Sequence, residues 1–343
     1  MTDRSNIVHR VPAALAHRAD LVFANQVIGR HFRARARSDS EWSERQVRLR
    51  EQAIRVEAVG EEGWFPGEAA EAWIVEPRRG VQLGQETWTW PIDPLPAAGV
   101  LGIDLRTVLA PLVVRVRRER EAGPALILVH GWLGANRALD HFAWPLSDFR
   151  EFDFSVVHYH LPGHGLRHDP GRRHLLPTFP GQNPLVNALL LAQVARELGQ
   201  LIAYLRRRGH DWVGLVGGSL GAYCIALAAT VTSHIDGCIL DQPLVKMTDP
   251  LRLDANPRQH ELLDLADRTY AKVSPLQRSA RVASNRVRIL SGRVDAIVEP
   301  ESVRRLAEHF GAELHWYWGG HLLPLGRREL WRHVLRNLCD ARN

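Results

Sequence analysis

The chain has 343 residues, 45% of them hydrophobic and 24% charged, a balance that supports a packed core and excludes wholesale disorder. Its formal net charge is +6, carried almost wholly by arginine, with Lys246 and Lys272 the only lysines. The cations are scattered apart from one concentration between Arg30 and Arg55, and no reading motif accompanies them, so nucleic acid is not an expected partner.

The opening stretch, MTDRSNIVHRVPAALAHRAD, lacks the continuous apolar run of a secretory signal. Asp39 to Val56 starts with Asp and Ser cap candidates and proceeds as a charged helix, its apolar positions (Trp42, Val47, Leu49, Ile54, Val56) only loosely periodic. Short β-like pieces follow at Ala72 to Val75 and Glu86 to Trp90, and then Pro91, Pro94 and Pro96 form a connector. Residues 1–95 therefore read as an N-terminal helical and β extension, and residues 96–343 as the main domain.

From Pro111 onward the pattern is regular. Strands are expected at Leu112–Val116, Ala125–Val129, Phe154–Tyr159, Val213–Val216, Gly237–Leu240, Val287–Leu290 and Glu313–Trp318. Several are continuous apolar runs, as strands covered on both faces require. Helices are expected between and after them at Leu189–Arg208, Leu220–Thr230, Glu301–Phe310 and Arg327–Leu338. This alternation implies a mostly parallel central sheet with helices on both faces. Val213 to Ile235 carries no Asp, Glu, Lys or Arg and is long enough for a membrane span. Its Gly-Gly-Ser break divides it into a buried strand and a buried helix, so no span is expected. Residues 242–286 form a helical insertion between two strands, either a cap over a site or a surface decoration.

Gly217-Gly218-Ser219-Leu220-Gly221 is a G-x-S-x-G pentapeptide with a β-branched run before it and a helix former after it. A sharp strand-to-helix turn lifts such a serine above the sheet, and glycines two before and two after relieve collisions across the turn. Upstream, Ala125 to Trp132 (ALILVHGW) is a buried strand ending in His-Gly at the sheet's C-terminal edge, where ligands collect. The backbone N–H groups of Leu220 and Trp132 are the candidate oxyanion donors. His130 is read as a structural hydrogen-bonding residue.

Taken in order, LILVHGW, LPGHG at Leu161–Gly165, VGGSLGA, SGRVDAIVEP and GGHLLP resemble the α/β-hydrolase superfamily over about two-thirds of the chain, and the 187–223 stretch resembles its esterase-like bacterial members. One departure is His160, where family members often carry Asp two residues before the Pro-Gly-His-Gly turn. The resemblance implies the α/β-hydrolase fold, a Ser nucleophile at Ser219, and an acid and a His following it in the chain. Asp295, just beyond a strand, is the favoured acid and Asp241 its rival. Among His309, His315, His321 and His333, only His321 follows a strand directly in a flexible Gly-Gly loop, which makes it the expected base. The implied chemistry is hydrolysis of an ester or thioester with a small or medium acyl group, without a cofactor. An acyltransferase, a C–C bond hydrolase and a non-catalytic binding protein are the readings set against it.

His158, His160, His164, His168 and His174, with Asp169, form a competing cluster. His-x-His on a strand puts two imidazoles on one face, but the spacing matches no zinc pattern and the Pro-Gly-His-Gly turn already accounts for His164. No metal is expected there. Trp88, Trp90, Trp132 and Trp144 are candidates for an apolar pocket, with core packing as the plainer reading. Cys224, Cys238 and Cys339 are three, and no C-x-x-C occurs, which fits a reducing, cytoplasmic setting.

Overall fold

The computed structural model describes residues 5–29, 38–67, 76–79, 85–117, 122–135, 144–168, 176–253 and 255–340. The strands expected from Glu86 onward, joined by one more at the sheet edge, form a nine-stranded sheet ordered β1-β2-β3-β5-β4-β6-β7-β8-β9. The strands are β1 Glu76–Arg79, β2 Gln85–Trp90, β3 Leu112–Arg117, β4 Ala125–Val129, β5 Ser155–Tyr159, β6 Val213–Gly218, β7 Gly237–Asp241, β8 Val287–Gly292 and β9 Glu313–Tyr317. From β5 through β9 every pairing is parallel; β1, β2 and β3 add an antiparallel meander at the other edge.

The core lies on both faces of this sheet because successive side chains of a strand point to opposite sides. In β4, Ala125, Ile127 and Val129 join one apolar cluster while Leu126 and Leu128 join the other. The first cluster is closed by the helices Pro184–Arg207 and Leu220–Val231, and the second by Trp331, Val334, Leu335 and Leu338 of the helix Arg327–Asp340. Pro184–Arg207 has the length and apolar content of a membrane span, but most of it is buried within the protein. Its start is set by Asn183, whose side chain accepts the Leu185 N–H, with Pro184 as first helical residue. The charge-free stretch from Val213 is β6, a one-residue turn and a 12-residue helix.

Besides short helices such as Glu61–Trp64, Pro96–Val100 and Leu146–Glu151, two elements were not foreseen. β1 has the sequence EPRR, which lacks the apolar alternation that marks a strand; as an edge strand it tolerates Pro77, whose nitrogen has no hydrogen to donate. The second is a helix at Ser5–Phe23, continued by a π-helical turn at Ala24–Ile28, with Pro12 inside it. Pro disfavours a helix interior, so local propensity conceals this one. Tertiary burial supports it: Ala16, Asp20, Ala24 and Ile28, spaced by four, are all buried. The β-like stretch expected at Ala72–Val75 lies outside the described residues.

The 242–286 insertion contains helices at Asp249–Arg252 and Pro257–Tyr270, the latter opened by a capping box between Asn256 and Gln259. It packs against the helix Asp39–Ala58, with Arg268 and Glu57 3.2 Å apart across the contact. The N-terminal extension and the insertion thus pack against each other.

Candidate active site

The loops that follow β4, β6, β7, β8 and β9 are neighbours because those strands are neighbours, and each brings one piece of the site to the sheet's C-terminal edge. β6 ends at Gly218 and a helix begins at Leu220, leaving Ser219 alone in the turn with φ 53° and ψ −114°. A non-glycine residue at positive φ is strained and persists only where its surroundings hold it. Here the Ser219 N–H donates to the Asp241 carbonyl at 2.9 Å, and the Ser219 carbonyl accepts from Tyr223 and Leu244.

The two glycines of the pentapeptide are required by contact. A Cβ on Gly221 would lie 2.0 Å from the Val129 carbonyl oxygen, and one on Gly217 would lie 2.7 Å from the Ala222 nitrogen. At Gly218, the variable position, the nearest atom would be 3.5 Å away on Trp144.

His321 Nε2 stands 2.9 Å from Ser219 Oγ, and its Nδ1 donates to Asp295 Oδ2 at 2.8 Å. Asp295 is in turn fixed by the N–H groups of Ile297 and Val298, both on Oδ1, at 2.9 and 2.8 Å. Burial alone would push the His321 imidazole down; the carboxylates of Asp295, Asp20 and Asp241 outweigh it and hold the residue above the ordinary histidine value.

The structure therefore brings Ser219, Asp295 and His321 together in one hydrogen-bonded line. The rival acid, Asp241, is committed elsewhere, its Oδ2 accepting from Arg327 at 2.8 Å and from the Trp331 indole at 3.3 Å. Of the other histidines, His309 lies in the helix Pro300–Phe310 and meets the Arg278 carbonyl, while His315 in β9 and His333 in the last helix face one another. Leu220 is the first residue of the helix after Ser219, where N–H groups have no acceptor within the helix. Trp132 follows Gly131, whose Cα carries no side chain because a Cβ would come within 3.2 Å of Ser219 Cβ.

These groups open into a cavity of about 390 Å³ lined mainly by apolar side chains. Trp132 and Trp144 border it, whereas Trp88 and Trp90 pack on Tyr204 in the core, 5.1 and 5.6 Å between ring centroids. The insertion contributes Leu244, Met247, Leu251 and Tyr270 to its wall, and the N-terminal extension contributes Phe23 and Ile28. Phe23 also meets Trp132 edge to face, with ring centroids 6.4 Å apart.

Two members of the histidine cluster, His160 and His164, and the nearby His130 are engaged by backbone groups. His130 accepts the Leu161 N–H at Nε2 and pairs through Nδ1 with its neighbour's carbonyl; His160 accepts from Leu166; His164 donates to the Pro162 carbonyl. Burial pushes His130 down to about 4 and His160 to about 2, and takes His164 well below its usual value, so all three stay neutral. Among the described residues no group of three or more His, Cys, Asp or Glu is arranged to hold a metal ion. His174 and Asp169 lie outside the described residues.

Two residues at the site escaped the sequence reading. Gln242, at positive φ just beyond β7, donates to the Gly320 carbonyl at 2.7 Å and approaches Asp295 Oδ2 at 3.4 Å. Asp20, from the first helix, is fully buried against the Asp295 and His321 loops. The signal available for Asp20 was an acid in the middle of an otherwise apolar stripe, at Ala16, Ala24 and Ile28, because a buried carboxylate needs partners.

The sheet order, the strand-turn-helix serine and the placement of its partners define an α/β-hydrolase. A family model for the alpha/beta hydrolase fold matches residues 124–313, more than half of the chain, and the protein belongs to that family. Two solved structures share its fold along nearly the whole chain. Acetyl xylan esterase 1 from Thermoanaerobacterium sp. JW/SL YS485 superposes with a TM-score of 0.58 at 14% identity, covering 93% of this chain and 98% of its own. An acetyl xylan esterase from Paenibacillus sp. R4 gives a TM-score of 0.52 at 12% identity, covering 89% and 97%. No curated protein matches the sequence.

Proposed function

We propose that the protein is a serine esterase that cleaves an ester or thioester of a small or medium acyl group through an acyl-enzyme on Ser219. The observation that carries this reading is the continuous line from Ser219 Oγ through His321 to Asp295, 2.9 and 2.8 Å at its two links, opening into an apolar cavity. In this mechanism Oγ attacks the acyl carbonyl carbon while His321 Nε2 takes the hydroxyl proton. Asp295 holds the imidazole in the required tautomer and stabilises the imidazolium. The carbonyl oxygen, now negative, is received by the N–H groups of Leu220 and Trp132; losing one such donor costs about 2.7–4 kcal/mol of barrier. His321 then returns the proton to the leaving oxygen or sulfur, and water, deprotonated by the same imidazole, releases the acid.

The 242–286 segment acts here as a cap, since its side chains Leu244, Met247, Leu251 and Tyr270 line the cavity and would limit acyl length. The fold shared with two acetyl xylan esterases makes acetyl esters the first compounds to try. Intact-mass analysis after fluorophosphonate treatment tests the reading. One adduct on the wild type and none on Ser219→Ala is the expected result; no adduct on folded wild-type protein would leave a binding role in its place.

A further inference from the structure

The first helix reaches the catalytic edge from a different part of the chain. Along its buried stripe Asp20 replaces an apolar residue, and a carboxylate taken out of water is costly unless its lone pairs are filled. They are filled by backbone from two loops. Oδ2 accepts the N–H groups of His321 at 2.6 Å and Ala296 at 3.2 Å, and Oδ1 accepts that of Leu322 at 2.9 Å. One turn earlier in the helix, His17 Nδ1 lies 3.1 Å from the Val294 carbonyl. The carboxylate also explains Gly320, on which a Cβ would stand 2.4 Å from Asp20 Oδ2.

Gln242 completes the arrangement from the other side. It donates to the Gly320 carbonyl, and Asp20 accepts the His321 N–H; these are the two ends of one peptide group. The peptide that carries the base into the site is therefore gripped at both ends.

Resting on the reading of Ser219, His321 and Asp295 as the catalytic set, we infer that Asp20 is a positioning residue for the base: it ties the His321 loop to the Asp295 loop and adds a buried negative charge beside the imidazole. The charged and titratable groups around His321 are then Asp295 from the loop after β8, Asp20 from the first helix, and Asp241 at the end of β7, the last already paired with Arg327. Tyr317, at the end of β9, lies in the field of the same three acids. Imidazolium formed during attack on the substrate is then stabilised by the charge of two carboxylates, Asp295 and Asp20, rather than one. Desolvation raises the Asp20 carboxyl above its usual value while the N–H bonds from Leu322 and His321 oppose the rise.

The test uses the full chain with Asp20→Asn, and with the smaller Asp20→Ser in case the amide is too crowded to fold. Thermal melting establishes folding, fluorophosphonate labelling rate reports Ser219 activation, and kcat/KM on an aryl acetate is followed against pH. The expected result is labelling at least about tenfold slower, with the acid limb of the profile moved down by about 1 pH unit, since removing a nearby negative charge lowers the imidazole pKa. Wild-type labelling rate in either folded variant overturns the inference. A slower rate with an unmoved limb overturns it too, because a merely structural role would cost rate alone. If wild-type protein itself takes no label at Ser219, the catalytic reading fails first and the inference with it.

Discussion

Arg327 Nη1 sits 2.8 Å from Asp241 Oδ2, and this ion pair, with the Trp331 indole on the same oxygen, decides which acid His321 can use. Asp241 and Asp295 both follow parallel strands at the correct edge of the sheet, so position along the chain does not separate them. Partners do: Asp241 points its carboxylate to the last helix, and Asp295 points its own to the imidazole.

Asp295→Asn is accordingly expected to lower kcat by about 10⁴, through loss of the tautomer that accepts the serine proton. Asp241→Asn is expected to cost mainly stability, because it leaves the Arg327 guanidinium without its anion, and to keep Ser219 labelling within about tenfold of wild type. Parallel melting and labelling of the two variants checks both. Loss of labelling in Asp241→Asn with Asp295→Asn unaffected would reverse the assignment.

A second prediction separates the glycines of the serine turn. Gly221→Ala drives a methyl into the Val129 and His130 carbonyls, both under 3 Å, and neither belongs to a flexible side chain. We expect at least about 1–3 kcal/mol of destabilisation, or no soluble protein. Gly218→Ala meets only Trp144, at ordinary contact distance, and should melt within a few degrees of wild type, about 1 kcal/mol or less. Similar losses in both would show that backbone conformation, not contact, sets the requirement.

What was legible in the sequence follows from how local each constraint is. Strands β4 to β8 were readable because a strand buried on both faces must be apolar along its length. Ser219, Asp295 and His321 were readable as candidates because each lies in the loop just after a strand, within four residues of its end and close to a glycine. The Ser5–Phe23 helix was hidden by Pro12, and β1 by its polar edge character. Asp20 was hidden for a different reason. Its partners Ala296 and His321 lie 276 and 301 residues away, and nothing in the residues beside Asp20 specifies them.

A third prediction concerns the turn behind the site. Arg167, fully buried, meets Glu197 of the helix Pro184–Arg207 through two bonds, 2.8 and 3.2 Å, and also donates to the carbonyls of His160 and Ala110. The Tyr159 hydroxyl donates to the same Glu197 oxygen at 2.5 Å. This pair fastens the segment after the Pro-Gly-His-Gly turn to the helix that leads into β6. Breaking it with Glu197→Gln leaves a buried guanidinium without its counter-charge, and should cost about 3–5 kcal/mol in urea unfolding. A change under about 1 kcal/mol would mean that water or a rearranged partner reaches Arg167.

The fourth prediction is the pH dependence of the wild-type enzyme. In the proposed mechanism His321 acts as a base, so it must be neutral in the free enzyme, and the fraction neutral rises with pH through its pKa. Three carboxylates hold that pKa above the ordinary 6.5 in spite of burial. Activity is therefore expected to fall as pH drops through a value above 6.5, and to be level on the alkaline side of it. His130 and His160 add no second limb near neutrality, because burial pushes them to about 4 and about 2. A kcat/KM profile on an aryl acetate between pH 5 and pH 9 measures this directly, with a single-proton slope on its acid side as the expected form. A midpoint below 6.5 would mean that desolvation of the imidazole outweighs its acidic neighbours, and that the charge of Asp20 and Asp295 reaches His321 more weakly than their distances imply.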